Sequence, residues 1–202
     1  LAKNKRLTES LKQKVFDIQN NESTFIASHI NPTYIYDTLN IIKNSIEKDQ
    51  DQVDILIQSM SKYLRHTFDY ATTNNIYSYK DELELCYAYK NMITAKYPFI
   101  KINFDVSDFV PNTRIPMFSI MSLIENSVNL TVKKVLHPEI DVKIYSEHDS
   151  VTFSVTDNGI GMSKDEIEYC LEHPLENLAY GIYQTNQLLI DKCNSKLQIN
   201  SV

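Results

Sequence analysis

HINPTYIYDTLN, residues His29 to Asn40, is the stretch whose reading decides the fold. Pro32 has no N–H to donate and biases Asn31 away from helical geometry, so a helix arriving here must kink or start afresh with Pro32 near its first turn. Beyond it, Ile35, Leu39, Ile42 and Ile46 recur at helical steps. The polar run Glu47 to Gln52 makes a turn. Val53, Leu56, Ile57, Met60, Tyr63, Leu64 and Phe68 then continue on a second helix that folds back as an antiparallel hairpin. Upstream, Leu7, Leu11, Lys14 or Val15, Ile18 and Phe25 form a narrow stripe flanked by Lys, Glu, Gln and Asn, which suits a coiled-coil seam. The expected partner is a second copy. Two hairpins make a four-helix bundle, so a homodimer through Leu7 to Ile46 and Val53 to Phe68 is expected.

Composition bounds what such a hairpin belongs to. A chain of 202 residues with 43% hydrophobic and 23% charged residues has the makings of a folded core. A net charge of -6 argues against a nucleic-acid surface. Cys86, Cys170 and Cys193 form no C-x-x-C pair and suit reduced thiols in a cytosolic compartment. No apolar run approaches the roughly 20 residues of a membrane helix. Opening on LAKNKRL, without initiator Met or signal peptide, the chain looks like a fragment of something longer.

After the hairpin, Ala71 to Tyr79 reads as a polar, irregular link. Lys80 to Tyr97 returns to helix, with Asp81 and Glu82 favourably placed in its first turn. Ile100 to Val106 alternates as a strand, Met117 to Val135 reads as helix, and Val142 to Tyr145 pairs with Val151 to Val155 as a hairpin. A further helix fits Ile182 to Asp191, and Lys196 to Val202 begins a last strand. This order predicts an α+β chain: a helical-hairpin dimerisation domain over residues 1–72, then a two-layer α/β sandwich over residues 73–202 with one sheet face covered by helices.

These residues carry a resemblance. His29 to Asn40 resembles the phosphoacceptor box of the LytS/YehU-type sensor histidine kinases, Q-I-N-P-H-F-L-Y-N-T-L-N. Asn31, Pro32, Tyr36, Thr38, Leu39 and Asn40 match; Tyr34, Ile35 and Asp37 replace Phe, Leu and Asn; Thr33 stands where the family carries the histidine that receives phosphate. Leu64-Arg65-His66, Glu84-Leu85, Tyr89 and Lys96-Tyr97 are similar to a family Leu-Arg-Tyr segment and an E-L-x-x-x-x-x-Y helix ending in Arg-Phe, and read as packing at the joint between the domains. Ile115-Pro116 with Leu123-Ile124-Glu125-Asn126 is similar to the asparagine box, I-P-x-x-x-L-Q-P-L-V-E-N-A-I-K-H-G. Asp157-Asn158-Gly159-Ile160-Gly161, following a strand, is similar to the first glycine box, D-x-G-x-G. The order of these boxes points to the GHKL (Bergerat) ATPase fold.

The resemblance implies ATP and Mg2+ as cofactors. By family, Asn126 ligates the magnesium that bridges the triphosphate, with Glu125 beside it as a catalytic residue. Asp157 accepts from the adenine amino group, while Gly159 and Gly161 let the backbone approach the ligand. Departures cluster at the phosphate end. The family's Ala, Lys or Arg, His and Gly after the asparagine appear as Ser127, Asn129, Leu130 and Thr131. The second glycine box, G-x-G-L-x-N-V-x-x-R-L, falls on Ala179 to Leu189 and keeps only Gly181 of its glycines. The chain has 3 glycines in all.

Other residues carry less. His29 lies four residues before Thr33, as a displaced acceptor would, but Pro32 spoils their shared face. His66 reads as a surface or hinge residue, and Asp37 as a helix-surface acid. His137, His148 and His173 share no metal-ligand spacing. The Tyr residues read as amphipathic packing, and no Ser/His/Asp or Cys/His arrangement is present. The resemblance therefore implies the cytoplasmic region of a two-component sensor histidine kinase whose autophosphorylation is impaired. The alternative is a non-catalytic pseudokinase module that dimerises with or regulates a partner kinase or response regulator. A third possibility is an active kinase with an unusual acceptor. Membrane attachment is expected only through a sensor segment absent from this fragment.

Overall fold

The computed structural model describes residues 32–69, 76–148, 150–173 and 180–201. The stripe from Leu7 to Phe25, His29 and Ala179 lie outside them.

The first described helix is α1 (Pro32–Ser45). Tyr34, Thr38 and Ile42, four residues apart, are the buried stripe. After a short turn, α2 (Gln50–Asp69) runs back, with Asp49 Oδ1 accepting from Gln52 N at 2.9 Å. Val53, Leu56, Ser59, Tyr63 and Thr67 line its buried side.

The hairpin packs on α3 (Tyr79–Lys96). Ser78 caps this helix, its hydroxyl accepting from Lys80 N at 3.2 Å. Buried positions run around much of α3, from Tyr79 and Glu82 through Leu85, Cys86, Ala88, Tyr89, Met92 and Ile93, because neighbours cover it on more than one side. Tyr34 and Tyr63 of the hairpin share its apolar cluster.

A two-stranded antiparallel ribbon, β1 (Ile76–Ser78) with β3 (Arg114–Pro116), brackets the start of α3. Its first strand falls in a segment expected to be an irregular link. The main sheet has the order β2 (Lys101–Val106), β4 (Glu139–Glu147), β5 (Ser150–Asp157). β2 and β4 are parallel, Ile102 opposite Ile140, and β4 and β5 form an antiparallel hairpin, Val142 opposite Val155. The parallel pair requires a crossover, which α4 (Ser119–Thr131) supplies while packing on β4 and β5. Ile140, Val142 and Ile144 alternate into the core, whereas Val151, Phe153 and Val155 on the edge strand are half-buried.

Two more helices follow, α5 (Lys164–Glu172) and α6 (Tyr180–Cys193), the latter packed on α4. The chain is thus α+β, with six helices and a mixed sheet among the described residues. Residues 196–201 correct one expectation: they form no strand. Leu197 and Ile199 do alternate inward against Cys170 and Ile182. However, the Leu197 N–H is taken by Asn186 Oδ1 of α6 at 3.0 Å and not by a ladder partner, while the Ser201 side chain accepts from Met162 N at 2.7 Å.

Candidate functional site

The site is built around α4, and its placement begins with a buried acid. Phe118, just before the helix, has φ 65, a left-handed conformation that costs a residue with a side chain about 1–2 kcal/mol. Opposite it stands Glu82 of α3, with no exposure. Glu82 Oε2 accepts from Phe118 N at 2.9 Å, and Oε1 accepts from Ile120 N at 2.9 Å and Met121 N at 3.0 Å. The Tyr77 hydroxyl donates to Oε2 at 2.5 Å. One carboxylate thus satisfies the first-turn donors of α4 and complements its helix dipole. Burial pushes the Glu82 carboxyl up, against the pull of these donors.

Glu82 also corrects the sequence alignment at this helix. Five residues must separate the Glu-Leu pair from Tyr89, a spacing met by Glu82-Leu83 and not by Glu84-Leu85. Glu84 is exposed and makes a surface pair with Lys62 at 3.7 Å.

From α4 outward lies an open cleft of about 1820 Å³, bounded by α4, β5, α5, α6 and residues 195–201. Asn126, Ser127, Asp157, Gly159 and Gly161 all line it. Asp157 Oδ2 accepts from Ser127 Oγ at 2.8 Å, and Oδ1 accepts from Gly159 N at 2.9 Å. A Cβ on Gly159 would stand 2.7 Å from Asp157 Oδ1 and 3.3 Å from the Thr131 methyl, so any side chain here would have to displace the Asp157 carboxylate. Gly161 takes φ 72, in the left-handed region. Asn158 pins the turn to the start of β4, accepting from Glu139 N and donating to His137 O, both at 2.9 Å.

Asn126 is nine-tenths buried, and its Nδ2 has no hydrogen-bond partner. Beside it, a Cβ on Gly181 would meet that Nδ2 at 3.1 Å and Ser122 Cβ at 3.3 Å, so the first turn of α6 lies directly on the asparagine. A carboxamide offers one acceptor to a hard cation and donors to an anion's oxygens, and an unmatched buried donor is costly unless a ligand meets it. The residues present therefore fit a metal-bridged anion at this end. Four cations that belong to no box, Arg114, Lys134, Lys192 and Lys196, line the same cleft.

The structure does not bring Glu125 and Thr33 to the cleft. Glu125 turns from Asn126 toward α1, where it is hydrogen-bonded to the Tyr34 hydroxyl. Thr33 is exposed and borders a separate cavity of about 190 Å³ with Lys96, Tyr97, Asn129 and Lys133. No residue lines both spaces.

One further element could have been found from sequence. Ser163-Lys164-Asp165-Glu166 is a capping-box signature, and the reciprocal bonds are present: Ser163 N to Glu166 Oε2 at 2.7 Å and Glu166 N to Ser163 Oγ at 3.3 Å. These hydrogen bonds hold the Glu166 carboxyl below the usual range. The helix they start, α5, carries Cys170 and Tyr169 to the cleft wall.

The family model Histidine kinase matches residues 21–99. Sensor protein LytS of Staphylococcus epidermidis is 28% identical over 71% of this chain and 24% of its own length. Sensor protein LytS of Oceanobacillus iheyensis is 25% identical over 87% of this chain and 31% of its own length. The chain thus spans about a quarter to a third of these relatives. A solved structure titled as a bacterial phosphotransferase shares the fold, with a TM-score of 0.52 at 12% identity over 90% of this chain and 91% of that one. The family match, which contains the box around Pro32, and the LytS similarity that continues beyond it make the chain similar to the LytS-type sensor histidine kinases.

Proposed function

We propose that the chain is the dimerisation and ATPase-like region of a sensor histidine kinase that retains a nucleotide cleft of GHKL type and has lost efficient phosphoryl transfer to its own box. The observation that carries this is the convergence of two separate boxes on one cleft: the Asp157–Gly159 turn, and the buried Asn126 amide with its unpartnered Nδ2. In this reading Asp157 accepts from a base amino group, its carboxylate held by Ser127 and Gly159 N. Asn126 would hold Mg2+, which when bound would offset phosphate charge. ATP would supply the transferable phosphoryl group, its charge offset by the metal. Lys134, Lys192 and Lys196 add positive charge that the boxes lack.

Loss of transfer is supported from two directions. A Thr33 hydroxyl needs activation that an imidazole does not, and Thr33 borders a different space from Asn126. These same observations favour a second reading, a pseudokinase module that dimerises with or regulates a partner kinase or response regulator. Exposed Tyr36, Leu39, Ile55 and Ile57 on the hairpin support an interface there. Among the described residues no helix is long and apolar enough to cross a membrane; attachment through a sensor segment outside this sequence, with this region cytoplasmic, belongs to the same proposal.

The test is calorimetry with ATP and magnesium, together with labelled ATP and a search for acid-labile, base-stable protein phosphate. Weak binding abolished by Asp157→Asn, with no label, is the expected result. Efficient labelling would overturn the impaired-kinase reading, and binding indifferent to Asp157 would overturn the cleft assignment.

A further inference from the structure

Three positions that depart from the family pattern meet in space. Tyr34 stands for the family's Phe, Asp37 for its Asn and Lys96 for its Arg. The extra hydroxyl of Tyr34 is buried between α1, α3 and α4: it accepts from Tyr89 OH at 3.3 Å and has Asn129 Oδ1 at 3.5 Å and the Glu125 carboxylate as acceptors. The Tyr34 and Tyr89 rings meet edge to face, with centroids 5.4 Å apart. One turn along α1, the Asp37 carboxylate pairs with Lys96 Nζ at 2.5 Å, and that ammonium also lies 5.9 Å from the Tyr34 ring and 4.9 Å from the Tyr97 ring.

A family Phe and Asn could make neither the hydroxyl bonds nor the ion pair. Each replacement adds a polar contact between the box helix and the ATPase-like body, one at the buried Tyr34 hydroxyl and one at the half-buried Asp37–Lys96 pair, and charge-assisted contacts are stronger than neutral ones. We infer that Tyr34 and Asp37 form a clamp that docks α1 on α3 and α4, engaging Glu125 and holding position 33 on the face of α4 away from the cleft. The box helix is then a fixed buttress of the body and not a mobile acceptor arm. This goes beyond the nucleotide proposal and does not depend on it, because every group involved lies outside the cleft.

Hydrogen exchange of the full chain, without nucleotide, tests it. Tyr34→Phe and Asp37→Asn each remove one contact and change little in size. Loss of the buried Tyr34 bond implies exchange of residues 36–45 faster by about tenfold in Tyr34→Phe, by less in Asp37→Asn, whose half-buried pair is screened by solvent, and by most in the double variant. Residues 119–131 should keep their wild-type rates, and Tyr36→Phe, which removes an exposed hydroxyl from the same helix, should change nothing. Unchanged exchange of α1 in the double variant would overturn the clamp. So would equal acceleration in α4, which would mean a general loss of stability, or equal acceleration in Tyr36→Phe. Absence of nucleotide binding would sink the cleft reading and leave this result intact.

Discussion

Replacing Glu82 by Gln should cost more stability than any exposed substitution in the chain, for reasons that can be worked donor by donor. The carboxylate receives four donors, two on each oxygen. An amide keeps one oxygen and turns an NH2 group toward the other two. Each buried donor left without an acceptor costs about 1–3 kcal/mol, so Glu82→Gln should cost roughly 2–6 kcal/mol. That is a large fraction of the ~5–15 kcal/mol that holds a typical domain together. For a chain of this length it corresponds to a fall in melting temperature on the order of 10 °C. Glu82→Ala, which orphans all four donors, should cost more.

The pH dependence carries a sign. The folded carboxyl is raised above its unfolded value of 4.5, so between the two values the folded state holds more protons. Wild-type stability is therefore greatest below pH 4.5 as far as this group is concerned, and falls as pH rises through the folded value. Glu82→Gln lacks this proton and should show a flatter profile over the same window. Thermal unfolding followed by circular dichroism across that range measures both effects. A Glu82→Gln protein within 1 kcal/mol of wild type would refute the role of Glu82 as the anchor of α4.

Thr33→His alone should give no phosphohistidine with labelled ATP and magnesium, because on the proposed reading acceptor chemistry is only one of two defects. Combining it with Ala179→Gly, Tyr180→Ile and Gln184→Asn tests the phosphate end, and ready labelling of the single variant would refute the two-defect reasoning. Gly159→Ala puts a Cβ 2.7 Å from Asp157 Oδ1, so it should displace that carboxylate and destabilise by about 1–3 kcal/mol; unaltered stability and an unmoved carboxylate in a crystal structure would contradict the close-approach account. The protein should be a dimer by light scattering, and Leu39→Lys with Ile57→Lys should shift it toward monomer; a wild-type monomer at micromolar concentration would remove the interface from the hairpin.

Much of this was legible from the residues, and the failures have physical causes. The helical steps of Leu39 and Ile42 and the polar run after Ile46 marked α1 and the turn that follows it. The runs Val142 to Tyr145 and Val151 to Val155 marked the β4–β5 hairpin, although β4 begins earlier, at Glu139. Glu82 was passed over because a carboxylate in a first turn has an ordinary use as a dipole partner for its own helix, and nothing local tells that it will instead cap the next one. The spacing to Tyr89 held the missing information. The stretch from Lys196 reads as a strand by alternation, yet a strand needs an open partner edge, and here the side chain of Asn186 takes its backbone donor. The lysines of the cleft come from three places outside the boxes, so only the folded chain brings them together.

The direction of Glu125 was the least legible feature, and it has the widest consequence. Successive residues on a helix point about 100° apart, so adjacency in the asparagine box cannot place Glu125 and Asn126 on one surface. In α4 the pair divides: Asn126 faces the cleft and Glu125 faces the box helix. A phosphoryl group leaving the Asn126 side would therefore have to cross α4 to reach position 33 of the same chain. Transfer within one chain requires α1 to leave its seat, and the contacts of Tyr34 and Asp37 oppose that. Even an imidazole at position 33 would begin on the wrong side of the helix. On the proposed reading, acceptor chemistry and acceptor placement fail together, so restoring the histidine should be insufficient unless the box helix is also released.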